Sequence, residues 1–238
     1  MDTDKKTKDA PAVDISQLRF AWRDDLDPVL TIAKLRIERG ERVFIEGPSG
    51  SGKSTLLSLI AGVVIPQQGT IRVSGVHLNA LNGANRDRFR ANHIGFIYQM
   101  FNLIPYLSVV ENVTLPCRFS VQRRQRAANH ASDDKDAALK LLTQLGMDGA
   151  AVVGKPVTQL SVGQQQRVAA ARALIGEPEL IIADEPTSSL DADRREDFIQ
   201  LLFNECRRRA TTLIFVSHDK AFEGLFHRTI RMTDINAA

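Results

Sequence analysis

The sequence predicts an α/β fold, a mainly parallel sheet with helices, preceded by an antiparallel β subdomain. Three observations carry that prediction. The first is Gly47-Pro48-Ser49-Gly50-Ser51-Gly52-Lys53-Ser54-Thr55, which reads G-x-x-x-x-G-K-S. The apolar run Val43-Phe44-Ile45 before it reads as a buried strand, and Leu56 to Ala61 after it as a buried helix. The second is Leu180-Ile181-Ile182-Ala183-Asp184-Glu185. Four apolar residues running into two carboxylates describe a central parallel strand whose C-terminal end opens on a site. The third is a pair of alternating segments, Val13 to Phe20 and Leu30 to Ile37, separated by the turn Asp24-Asp25-Leu26-Asp27-Pro28.

The glycine-rich stretch carries chemistry because of its flanks. Strand, glycine turn and helix let the backbone wrap a polyphosphate with its N–H groups inward, since no Cβ blocks the approach. The helix start adds a partial positive charge. Lys53 then reaches the β- and γ-phosphates, and the Ser54 hydroxyl binds Mg²⁺.

Composition bounds the rest. The chain has 238 residues, 43% of them hydrophobic, enough for one domain with subdomains or two small ones; a single domain over residues 12–238 is expected. Its 31 basic and 28 acidic residues leave a scattered net charge of +3, too mild to argue for nucleic acid, and no nucleic-acid partner is expected. Cys117 and Cys206 lie in no metal or redox spacing and read as reduced thiols. Residues 1–11 have no apolar core, so they read as a disordered tail rather than a secretory signal. The longest apolar stretch, Leu56 to Ile65, is broken by Ser58 and Gly62. A membrane span needs roughly 20 such residues, so the chain is expected to be soluble and to meet a membrane only through a partner.

The remaining elements follow in order. Phe20 and Trp22 share one face of a strand. An aromatic there either stacks on an adenine ring or covers the edge of a small sheet, and pattern alone favours the second. Pro66 to Gly69 reads as a turn, Thr70 to Val73 as a strand, Ala84 to Asn92 as a helix, and Ile94 to Tyr98 as a buried strand ending at Gln99. The charged stretch Val121 to Asp136, with Arg123-Arg124-Gln125-Arg126, reads as a solvated loop or helix face. Asn112-Val113-Thr114 matches a glycosylation sequon and is set aside for want of a secretory route. Ala137 to Leu145 has helical spacing and ends at Gly146. In Leu160-Ser161-Val162-Gly163-Gln164, Ser161 and Gln164 form a capping box that opens an alanine-rich helix. A helix start with a hydroxyl and a glycine N–H is also an anion site. After Ser188-Ser189-Leu190-Asp191 comes a long helix to about Arg209, then the strand Thr212 to Ser217 delivering His218, and an edge strand Arg228 to Thr233.

Taken together these motifs resemble the ATPase subunit of an ABC transporter over about residues 12–233. They stand in that family's order: P-loop Gly47–Thr55, Q-loop Gln99, signature Leu160–Gln164, Walker B Leu180–Glu185, D-loop Ser188–Asp191 and switch His218. The resemblance implies a P-loop NTPase (RecA-like) core with an inserted helical subdomain at about 100–175. It implies ATP and Mg²⁺ as cofactors, with the metal on Ser54, Gln99 and Asp184. It gives Glu185 the attacking water, His218 and Lys53 the transferring phosphate, and Trp22 the adenine. It has Ser161, Gly163, Gln164 and Asp191 meet nucleotide in a head-to-tail dimer with a second copy. The usual signature has glycine where this chain has Val162. A position that needed φ > 0 would strain valine there.

Two stretches, Gln99 to Pro105 and Glu111 to Pro116, resemble the lipoprotein-releasing and macrolide-exporter branch. That implies an integral-membrane permease, with this chain on the cytoplasmic face of a bacterial inner membrane. The permease groove is expected between Gln99 and about Leu115. Two rivals are a soluble ABC-type ATPase acting on nucleic acid or ribosomes, and a non-hydrolysing regulatory subunit. The single cassette without a heptad run speaks against the first; Lys53, Glu185 and His218 together speak against the second.

Overall fold

The structure, a computed structural model, describes residues 10–129, 131–188, 190 and 192–238. In chain order its elements are strands β1 (Val13–Phe20), β2 (Leu30–Ile37) and β3 (Arg42–Glu46), helix α1 (Lys53–Ile60), and strands β4 (Gln68–Val73) and β5 (Val76–His77). Helix α2 (Gly83–His93) and strand β6 (Ile94–Ile97) follow, then helices α3 (Val109–Phe119), α4 (Val121–Ala128), α5 (Asp134–Gln144), α6 (Gly149–Val152) and α7 (Val162–Leu174). The last are β7 (Leu180–Asp184), α8 (Ala192–Arg208), β8 (Thr212–Val216), β9 (Arg228–Arg231) and α9 (Met232–Ile235). Two compact units divide these: residues up to 90 with 212–238, and residues 91–211.

In the first unit an antiparallel sheet runs in the order β2-β1-β4-β5. The paired strands β1 and β2 bury Val13, Ile15, Leu18 and Phe20 against Leu30, Ile32, Leu35 and Ile37. The inward set slips by one residue after Ile15. A bulge explains it: the register with β4 shifts between Ser16 and Arg19, and Gln17 sits at φ 51. A Cβ on Gly69 would lie 2.3 Å from the Gln17 carbonyl oxygen, so only glycine fits opposite the bulge. The same unit carries three parallel strands, with β3 between β8 and β9. Phe44, Phe215 and Phe226 cluster there, each ring 5.2–6.3 Å from the next. Residues that read as a pure apolar run are buried on both faces, as parallel strands require. The end of β3 leads into the glycine loop.

In the second unit β6 and β7 pair in parallel, Ile94 to Leu180 through Ile97 to Ala183. Helix α7 lies so close to β6 that a Cβ on Gly95 would stand 2.2 Å from the Ala173 carbonyl oxygen. Helix α5 ends in a Schellman motif: Gly146, at φ 74, donates to Thr143 and Met147 donates to Leu142.

Several expectations need adjustment. The edge strand stops at Arg231, and Met232 turns into α9. Helix α3 runs through Pro116 because a full capping box at Ser108 and Glu111 fixes its start while Val109, Asn112, Val113 and Cys117 are buried. The sequon residue Asn112 is fully buried, and its amide nitrogen donates to the carbonyls of Ile104, Leu107 and Ser108. The reading of Val121 to Asp136 as a solvated face is corrected at Arg123. That residue is 2% exposed, and its guanidinium donates to Ile175 (2.8 Å), Ala173 (2.6 Å), Ile94 and Arg172 carbonyls. Burial pulls its pKa down to about 10.

Candidate functional site

In the first unit the glycine loop closes between β3 and α1. Ser51 N–H donates to the Pro48 carbonyl, and Gly50 and Gly52 take φ values of 81° and 90°. Those are conformations L side chains avoid, which is why the turn is spelled with glycine. A Cβ on Gly47 would meet Ser51 Oγ at 2.6 Å and Met232 at 2.9 Å, whereas one on Gly50 would meet nothing within 4 Å. Gly47 is therefore required by the fold and Gly50 by its backbone angle.

Helix α1 starts at Lys53 with no side-chain cap and no acidic residue in its first turn. Its leading N–H groups have no intrahelical acceptor, and its dipole puts partial positive charge there. Lys53 Nζ donates to the carbonyls of Gly47 (2.6 Å) and Pro48 (2.8 Å), so the ammonium lies over the loop. Ser51 Oγ is buried and has no hydrogen-bond partner among the described residues. An orphaned hydroxyl, an uncapped helix start and a cation over one glycine turn fit a polyphosphate. Ser54 and Thr55 fall in the first turn of α1, with Thr55 buried; Ser49 is exposed on the loop.

Glu46 immediately precedes this loop. Lys220 lies 2.5 Å away and Arg231 3.4 Å, and the Lys220 hydrogen bond holds the Glu46 carboxyl below the usual carboxylate range. His218 follows β8 and is exposed, next to buried Ser217, whose Oγ accepts from Asp219 N–H. Trp22 is 57% exposed and stands edge-on to Phe20 at 5.2 Å. It leaves a ring face open while Phe20 serves the core.

In the second unit Gln99 is exposed in the turn after β6. Asp184 ends β7, and Glu185 follows at φ 48, a strained angle for a side chain other than glycine. The Pro186 carbonyl next to it accepts a 2.7 Å bond from Gln166, which is 1% exposed. Ser161 caps α7: its Oγ accepts from Gln164 N–H, and the Gln164 side chain accepts from Ser161 N–H. The capping box is thus as the spacing predicts. Val162 is the first helical residue and is not among the positive-φ residues, so the departure from glycine causes no backbone strain. Among the described residues, only Leu190 comes near the missing Cβ of Gly163, at 3.8 Å. Asp191 and Ser189 lie outside the described residues. Local pattern does not single out Gln166 or Arg172; the one signal is a lone arginine inside the Ala169–Leu174 apolar run.

Residues 30–188 match the family model described as ABC transporter. The chain is 42% identical over 218 residues to the lipoprotein-releasing system ATP-binding protein LolD 1 of Chlorobium chlorochromatii, covering 92% of this chain and 84% of that protein. It is 37% identical over 207 residues to the macrolide export ATP-binding/permease protein MacB of Rhodopirellula baltica, covering 87% of this chain and 29% of that one. Among solved structures it is similar to a dimeric ATP-binding cassette in a post-hydrolysis state bound to ADP and Pi. That match has a TM-score of 0.78 and 33% identity over 94% of each chain.

Proposed function

Because this chain belongs to the ABC transporter ATP-binding family, we propose that it binds and hydrolyses ATP to energise a membrane permease through ATP-driven pairing with a second copy. The observation that carries this reading is the uncapped start of α1 beneath a glycine turn, with Lys53 over it and the buried Ser51 hydroxyl unpaired among the described residues. The helix start has a glycine N-cap and no acidic residue in its first turn, which suits a polyphosphate.

The assigned roles are those the family implies for residues of these types at these positions. Loop residues Gly47 to Thr55 bind the phosphates, and Trp22 offers its open ring face to adenine. Ser54, Gln99 and Asp184 are the residues we assign to Mg²⁺, which when bound neutralises charge on the β- and γ-phosphates. Glu185 orients or deprotonates the attacking water, and His218 positions the γ-phosphate. Lys53 stabilises charge that builds on the transferring group. This is positioning and electrostatics, with little covalent chemistry asked of the protein. Ser161, Gly163, Gln164 and Asp191 meet the nucleotide of the second copy. That no described residue of its own chain crowds Gly163 supports an outside reason for glycine.

A permease partner is supported by the MacB relative, whose name joins ATP-binding and permease parts in one chain. No helix among the described residues is long and apolar enough to cross a membrane. We place the chain at the cytoplasmic face of a bacterial inner membrane. The permease groove lies along the segment after Gln99, where Met100 is 80% and Tyr106 84% exposed. Apolar side chains that exposed mark a surface made to be covered.

Glu185→Gln tests the reading. The variant is expected to keep ATP binding, nearly abolish phosphate release and accumulate an ATP-bound dimer in sedimentation. Adding Ser161→Arg is expected to return it to monomer with ATP still bound. Wild-type phosphate release by Glu185→Gln removes Glu185 from its role, and a full dimer in the double variant removes the shared site.

A further inference from the structure

We propose that Arg172 is a positioning residue that locks the Gln99 turn to the helix beginning at Ser161, so that the two segments act as one body. This rests on the roles given above to Gln99 and Ser161. Arg172 lies in the last turn of α7, about 16 Å along the axis from Ser161 at 1.5 Å per residue. Its Nη1 donates to the Asn102 carbonyl at 2.7 Å and its Nη2 to the Phe101 carbonyl at 2.5 Å. Two adjacent carbonyls matched by one planar fork is a geometry lysine cannot copy.

What the fork holds is unusual backbone. Phe101 and Asn102 take φ values of 60° and 48°, consecutive non-glycine residues in the left-handed region. Such a conformation persists only where its surroundings over-determine it. Phe101 N–H donates back to the Tyr98 carbonyl across Gln99 and Met100, and Asn102 N–H donates to Met100. The turn that presents Gln99 is therefore closed by its own backbone and clamped from below by Arg172. Phe101 is buried beneath it while Met100 is exposed. Arg172 is itself anchored, because the carbonyls of Arg172 and Ala173 accept from the buried Arg123 of α4. A displacement of the exposed turn at Met100 is thereby passed to α7, which carries Ser161 at its other end. The acceptors of Arg172 among the described residues are main-chain carbonyls, so a loop conformation, and not a charge partner, is what this arginine serves.

The test is a double-variant cycle on the full chain, with steady-state ATP hydrolysis in Mg²⁺ and amide hydrogen exchange as readouts. Arg172→Lys is expected to lower kcat about tenfold with the KM for ATP within twofold. Amides of residues 99–103 are expected to exchange about tenfold faster while the start of α7 is unchanged. Gln99→Ala is expected to lower kcat as well, and the double variant to fall no further than the worse single one. Arg172→Gln, which keeps two N–H donors without the charge, is the second variant and is expected to show the same pattern. Multiplicative losses, a rise in KM that accounts for the defect, or unchanged exchange at 99–103 would each overturn the proposal. If Gln99→Ala lowers kcat and neither Arg172 variant does, the clamp alone fails. If Gln99→Ala keeps full kcat, the role of Gln99 and this proposal fail together.

Discussion

Replacing Gly163 by alanine separates folding from function in this chain. A Cβ there meets Leu190 Cδ2 at 3.8 Å, an ordinary contact, and Gly163 is not among the positive-φ residues. Among the described residues of one chain nothing demands glycine. Alanine is the better helix former by about 0.5–1 kcal/mol, toward the lower end in a first turn. For a chain of this size that raises Tm by about 1–3 °C. The effect on pairing has the opposite sign. If the Gly163 N–H faces the nucleotide of a second copy, a methyl group pushes that partner away and weakens one charge-assisted hydrogen bond, worth about 1.5–3 kcal/mol. A pair of identical chains contains two such contacts, so the loss is about 3–6 kcal/mol and the ATP-bound dimer should be roughly a hundred- to ten-thousandfold weaker. The assays are thermal unfolding without nucleotide, and sedimentation velocity with ATP in the Glu185→Gln background. A fall in Tm would mean that the chain itself needs the glycine. A dimer as tight as the parent would mean that no nucleotide meets this position.

Three further predictions concern the second unit. Gly95→Ala places a Cβ 2.2 Å from the Ala173 carbonyl oxygen and 2.5 Å from Ile181 Cδ1, so calorimetry should show a loss on the order of 3 kcal/mol. Arg123→Met leaves the Ala173 and Ile175 carbonyls unpaired in a buried site, and urea unfolding should show a loss of about 3 kcal/mol; stability equal to wild type would mean water takes the guanidinium's place. Burial alone would raise the Glu179 carboxyl, but its bond to His93 and the nearby charges of His93 and Arg126 hold it below its ordinary value of 4.5. A depressed carboxylate stabilises the fold above its unfolded pKa and loses that as pH falls through the folded one. Tm should therefore drop as pH is lowered from about 4.5, and Glu179→Gln should flatten that drop while lowering Tm at pH 7.

Much of the local structure around the candidate site was legible because it is set by local rules. The glycine turn between two apolar runs, the capping box at Ser161 and Gln164, and the carboxylates ending β7 each depend on neighbours a few residues away. The same holds for β1 and β2, whose bounds agree with their alternation. Within the charged stretch after Phe119, Arg123 departs from the solvated reading for the opposite reason. Arg123 is surrounded in sequence by polar residues, and local composition says solvent. Its partners are the carbonyls of residues 94 and 172–175, some 29 to 52 positions away.

By itself, then, the sequence determined the order of the motifs, the chemistry each can perform and the elements that bear them. It did so because a helix start, a tight turn or a buried strand is written in residues adjacent along the chain. Only the tertiary structure decided which backbone carbonyls needed a cation, and so which arginines are structural. Arg172 beneath the Gln99 turn is the instance that matters most for function: its two acceptors lie about 70 residues upstream. No periodicity or spacing encodes a hydrogen bond between main-chain groups and a side chain that meet only after α7 has packed.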